Sequence, residues 1–138
     1  MKKPLFVMLM CAALVGAFCL PTLWALDAPK DMELKMPAGG TATKAPVKFS
    51  HAGPGHKPLD CKGCHHNWDG KAATGLKCSD KGCHDILDPA NKTDVKSFYK
   101  AFHDMNSAKS CLGCHKKAKA DGKNSPIACN ACHPAAAQ

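Results

Sequence analysis

Four Cys-His dipeptides, each preceded at short range by another cysteine, constrain this chain more than any other feature. They form the groups Cys61/Cys64/His65, Cys78/Cys83/His84, Cys111/Cys114/His115 and Cys129/Cys132/His133, and they use all eight cysteines outside the first twenty-five residues. C-x-x-C-H is the attachment signature of a c-type haem: two thiols add to the vinyl groups, and the following histidine meets the iron from one face. The second group is a variant with four residues between its thiols, Ser79-Asp80-Lys81-Gly82, which a longer loop closes around the same porphyrin edge. The remaining histidines are His51, His56, His66 and His103, four in number. Four irons need four second axial ligands, so every histidine in the chain has a place.

The same count weighs against the rival uses of cysteine. Zinc knuckles also use C-x-x-C pairs, but zinc gives no reason for a histidine directly after the second thiol four times over. A disulfide framework is compatible with an even number of cysteines in an exported chain, and it too leaves the Cys-His dipeptides unexplained. Iron–sulfur clusters take cysteines in fours, whereas short pairs match one haem each.

Residues 1–25 have the pattern of a cleaved secretory signal: Lys2 and Lys3, an apolar stretch from Leu5 to Leu20, and the small-residue site Leu23-Trp24-Ala25. The apolar stretch is short for a bilayer span, so no membrane insertion is expected after cleavage. Cys11 and Cys19 leave with this segment. Export suits the chemistry, because c-type attachment is completed outside the cytoplasm, and the periplasm is the expected location.

Cleavage after Ala25 leaves a single domain, residues 26–138, of 113 residues for four haems, about 28 each. Its aromatics are only Phe49, Trp68, Phe98, Tyr99 and Phe102. So little protein cannot enclose four porphyrins and also build a separate apolar core. The haems are therefore expected to be the core, with the chain wrapped around them and folding tied to their binding.

Charge is read in the same light. The full sequence carries nineteen lysines, no arginine and eleven acids, a formal +8, and loss of Lys2 and Lys3 makes it +6. Two ionised propionates per haem would bring the loaded protein to roughly −2, so the basic balance is no sign of a nucleic-acid partner.

Residues 26–45 form an arm rich in Pro, Gly, Ala and Thr, with a strand expected near Met32 to Met36. Pro46-Val47-Lys48-Phe49-Ser50 alternates apolar with polar and predicts a second strand, which delivers His51 and His56 on the loop Ala52-Gly53-Pro54-Gly55. Adjacent residues point in different directions, so His65 and His66 reach two different irons. Farther on, Thr93 as cap and Asp94 in the first turn predict a helix carrying Val95, Phe98, Tyr99, Phe102 and His103. Another is predicted over residues 110–120, stopping near Gly122 and ending in the basic residues Lys116, Lys117 and Lys119.

The order of sites, the Cys64-His65-His66 tripeptide, the run Val47-Lys48-Phe49-Ser50-His51 and the Tyr99-x-x-x-His103 spacing resemble the class III cytochromes c, the tetrahaem cytochromes c3. The resemblance covers nearly all of residues 26–138. It implies a small multihaem fold of few short α-helices, a small N-terminal β-hairpin and much irregular chain around four haem c groups. By position it pairs His51 with His65, His66 with His84, His56 with His115 and His103 with His133. It also puts Phe49 between the first and third haems and Tyr99 near the fourth. This chain departs from the type I members in two places: four residues separate His51 from His56 where two are usual, and only Asn130-Ala131 separates the last thiols.

The resemblance implies a monomeric periplasmic electron carrier, not an enzyme, working between hydrogenase or formate dehydrogenase and membrane-bound cytochrome complexes in sulfate respiration. Bis-histidine ligation agrees with that role: it leaves no open position on iron, and without methionine the potentials are expected to be low. The alternative is outer-sphere reduction of metal ions or sulfur at an exposed haem edge.

Overall fold

The computed structural model of the protein describes residues 28–71 and 76–135; the segment read as a signal lies outside them. Strands β1 (Asp31–Leu34) and β2 (Val47–Ser50) pair antiparallel, with Met32 opposite Phe49 and Glu33 opposite Lys48. An apolar pair and an oppositely charged pair side by side pin this register, because a one-residue slip would exchange the two faces. The hairpin begins and ends slightly earlier on β1 than the sequence predicts, and Pro46, with no N–H to donate, stays outside β2.

The remaining elements are short. They are α1 (Cys61–Cys64), a 3₁₀ turn (Pro89–Asn91), α2 (Phe98–His103), α3 (Cys111–Ala120) and α4 (Cys129–Cys132). Helix α3 has strong signals at both ends. The Ser110 hydroxyl caps its start by accepting from the Gly113 amide at 3.0 Å. At its end Gly122 adopts φ +79°, while Lys123 N–H donates to Ala118 O and Gly122 N–H to Lys119 O. That is the two-bond left-handed closure for which glycine is favoured.

Helix α2 starts later than predicted, at Phe98, with Ser97 as its cap instead of Thr93. Local bonds explain the correction. The Asp94 carboxylate accepts from Lys96 N–H at 2.7 Å, a turn that competes with helix. Ser97 is then held extended in a parallel bridge, with Ile86 N–H donating to Lys96 O and Phe98 N–H to Ile86 O. Val95 is consequently outside the helix and 71% exposed.

No apolar side chain is buried among the described residues. The buried side chains are polar, Ser97 and Ser110. Ser110 ties α2 to α3: its hydroxyl, the donor to Asp104 O and Ser107 O, anchors the turn that joins them.

Candidate functional site

Each Cys-His dipeptide closes on its own first cysteine. His65 N–H donates to Cys61 O at 2.9 Å and His133 N–H to Cys129 O at 2.8 Å, while Cys111, Cys114 and His115 share the first turns of α3. The variant group reaches the same closure by another route: His84 N–H donates to Cys78 O at 2.8 Å across the longer spacing. Two carboxylates hold that loop, Asp80 accepting from Lys77 N–H and Asp85 from Gly82 N–H, with Gly82 at φ +85°. The Gly82 amide is the main reason the Asp85 carboxyl is held below its usual range.

The eight described cysteines are free thiols. Desolvation, followed by the charges of Cys114 and Cys61, raises the Cys64 thiol. Desolvation also raises Cys78. Cys111 is open to solvent on one side, yet desolvation, then Cys78 and Cys64, push it up to about 12. These groups therefore stand as neutral thiols near one another, and a thioether, which has no proton to lose, fits the same surroundings.

The histidines come together in pairs. Ring centroids are 6.4 Å apart for His51 and His65, 5.9 Å for His56 and His115, 5.9 Å for His66 and His84, and 6.1 Å for His103 and His133. Two imidazoles on opposite sides of one ion, each ligating nitrogen about 2 Å from it, put their centroids about 6.3 Å apart. The rings are thus spaced for one ion between them. Adjacent His65 and His66 face different partners. His56 reaches His115 in spite of its longer loop, because His56 N–H and Lys57 N–H both donate to Gly53 O and fold the extra residues into a turn.

Hydrogen bonds fix which nitrogen faces the gap. Nδ1 of His51 lies 2.7 Å from Pro29 O, of His56 3.0 Å from Ser50 O, and of His103 2.9 Å from Tyr99 O. Nδ1 of His115 lies 2.9 Å from Pro126 O, and of His133 2.8 Å from Ala45 O. A carbonyl only accepts, so in each of these five rings Nδ1 carries the proton and Nε2 keeps its lone pair for a metal. His66 Nδ1 meets the Asn67 Oδ1 at 3.3 Å.

Two imidazoles do not hold an ion alone. Among the described residues there is no group of three or more His, Cys, Asp or Glu side chains placed to hold a metal. Each pair therefore suits an ion that brings its equatorial ligands with it, and two thiols beside each pair suit a macrocycle with two vinyl groups. The donor set fits haem c. A hollow lined by His66, His84, Cys78, Cys83 and Trp68 lies at the second pair.

Aromatic neighbours complete the sites. Phe49 lies 4.8 Å, centroid to centroid, from both His51 and His56, and so touches one ring of the first pair and one of the third. Tyr99 stacks on His103 at 4.3 Å. The acceptors Pro29, Ala45 and Pro126 and the side chain of Asn67 are not singled out by the sequence. Backbone carbonyls carry no residue signature.

Comparison with known proteins agrees with this geometry. Residues 25–133 match the model of the class III cytochrome C family. Cytochrome c3 of Desulfovibrio desulfuricans is 50% identical over 109 residues, 79% of this chain and 98% of that protein. Cytochrome c3 of Maridesulfovibrio salexigens is also 50% identical over 109 residues, 79% of this chain and 97% of that protein. Among solved structures, the di-tetraheme cytochrome c3 from Desulfovibrio gigas superposes with a TM-score of 0.67 at 37% identity, covering 80% of this chain and all of that one.

Proposed function

The chain belongs to the class III cytochrome c family, a family of multihaem electron carriers, and from that premise we propose a periplasmic carrier with four covalently bound haems. The observation that carries the number four is the set of four imidazole pairs, each with two cysteines beside it. When bound, a haem supplies one reversible one-electron step at its iron. The chain supplies the rest. Cys61 with Cys64, Cys78 with Cys83, Cys111 with Cys114 and Cys129 with Cys132 anchor each group by thioethers. The paired histidines would hold the iron through Nε2, and at five of the rings a carbonyl behind Nδ1 keeps the imidazole oriented. Iron held in that way would offer no position to a substrate and the bound group would exchange electrons at its exposed edge, a role that suits redox-protein partners such as hydrogenase, formate dehydrogenase and membrane-bound cytochrome complexes.

Denaturing mass spectrometry of the exported protein tests this reading. The expected mass is the chain from about Leu26 plus four haems, with every ferric iron low-spin in the native protein. Three haems, or rapid carbon monoxide binding after reduction, would overturn it.

Docking is proposed at the basic end of α3, where Lys116, Lys117, Lys119 and Lys123 lie between His115 and Cys129. Lys117 is paired with Asp121 at 3.0 Å, so Lys116, Lys119 and Lys123 carry most of the free charge. Such exposed groups add little stability, but they steer an acidic partner. Replacing all four by glutamine is expected to slow reduction by that partner on the order of tenfold at low salt. The salt dependence should flatten and the spectrum should not change. Reduction at the wild-type rate at low ionic strength would instead place docking elsewhere, for instance beside Lys57 and Lys62.

A further inference from the structure

The four histidine pairs differ in what holds their outer nitrogens. In the pairs His56/His115 and His103/His133 both Nδ1 atoms face backbone carbonyls, and His51 has Pro29 O. The pair His66/His84 has no backbone acceptor on either ring. His84 Nδ1 is buried without a hydrogen-bond partner, and His66 Nδ1 meets the side-chain oxygen of Asn67. This pair also differs in shape. Its ring planes cross at 68°, against 9° to 21° in the other three.

An N–H that donates to an oxygen lends its imidazole anionic character and makes the opposite nitrogen a stronger donor to the metal. A stronger donor favours ferric over ferrous iron, so the acceptor behind a ligand sets part of the potential. At five of the rings that acceptor is main chain, present whatever the residue. Position 67 is different.

We propose that Asn67 is a tuning residue, whose side-chain oxygen sets the donor strength of His66 and thereby the potential of the one iron held between His66 and His84. The proposal rests on the four-haem reading above. Because His84 has no compensating acceptor, a change at position 67 is not diluted by a second fixed bond on the same axis. The substitution needs no change in any ligand.

Two replacements of similar size act in opposite senses. In the loaded protein, Asn67→Asp offers a stronger acceptor and is expected to favour the ferric form of one haem. Asn67→Leu offers none and is expected to favour its ferrous form. Each should move the ferric-to-ferrous ratio at fixed potential by up to about tenfold, which is 59 mV for one electron. The other three haems should change far less. The site is recognisable because crossed imidazole planes leave two iron orbitals nearly degenerate and give that low-spin ferric centre the most anisotropic magnetic resonance signal. Potentials resolved by that signal, together with the exchange rate of the His66 Nδ1 proton, supply the readout. Shifts of opposite sign confined to that centre support the proposal. Shifts of the same sign, or none at that centre, would overturn it, since mere loosening of the loop moves both variants alike. Fewer than four haems in the wild type would remove the premise instead, and the mass spectrum tells the two failures apart.

Discussion

Made without haem, the chain is expected to have no cooperative fold. Ordering a residue costs about 1–2 kcal/mol of backbone entropy, so the described residues together oppose folding by on the order of 100 kcal/mol. An ordinary domain offsets that with buried apolar side chains. None is buried among the described residues here, and Leu59, Val95, Tyr99, Met105 and Ile127 are all exposed. Binding free energy must then serve as folding free energy. A variant with all eight attachment cysteines changed to serine should show weak helical dichroism, collapsed amide dispersion and no sigmoidal thermal transition. The loaded protein should melt cooperatively. A cooperative transition in the haem-free chain would mean that a polypeptide core exists after all.

The link between binding and folding is visible in particular bonds. The arm of residues 28–46 is tied at one end by the His51 imidazole to Pro29 O and at the other by the His133 imidazole to Ala45 O. The second of these bonds spans 88 residues of sequence. On the four-haem reading, loss of the iron from either ring would release that ring to rotate and give up its carbonyl. The arm would thus be freed together with the site.

The sequence is legible where chemistry needs a side chain and opaque where it needs the backbone. Cysteine and histidine spacing picks out the eight thiols and the eight imidazoles that the structure brings together in pairs, and the alternation around Phe49 reveals β2. Gly122 marks the end of α3 because only the left-handed conformation completes its closure. The start of α2 is misread because Thr93 and Asp94 have the composition of a helix cap. Their neighbour Ser97 is instead drawn into a bridge with Ile86, eleven residues earlier in the chain, a pairing that no local pattern encodes. The carbonyls behind the histidines are likewise invisible, since any residue at positions 29, 45 or 126 offers the same oxygen. Asn67 is the exception among those acceptors, and its role emerges only when the others are seen to be main chain.

Two glycines that look equivalent in sequence should respond differently to the same substitution. Gly63 and Gly113 occupy the same place in Cys61-Lys62-Gly63-Cys64 and Cys111-Leu112-Gly113-Cys114. A Cβ at Gly63 would meet nothing within 4 Å. At Gly113 it would lie 2.6 Å from Asp104 O and 2.9 Å from the Ser107 carbonyl carbon, both main-chain atoms that cannot rotate away. Helix α3 would have to lift off the turn after α2, weakening the Ser110 bonds that join them. Such overpacking costs about 1–3 kcal/mol, more for a β-branched residue. Gly63→Ala should be neutral or slightly stabilising, because alanine suits a helix better than glycine. Gly113→Ala should lower the denaturant midpoint of the loaded protein, and Gly113→Val should lower it further and reduce the yield of fully loaded chains. The strain falls on two sites at once, since Cys111, Cys114 and His115 ride on α3 while His103 ends α2 just before Asp104. Equal midpoints for Gly63→Ala and Gly113→Ala would show that the turn after α2 yields freely and that the contact at Gly113 does not fix the two helices.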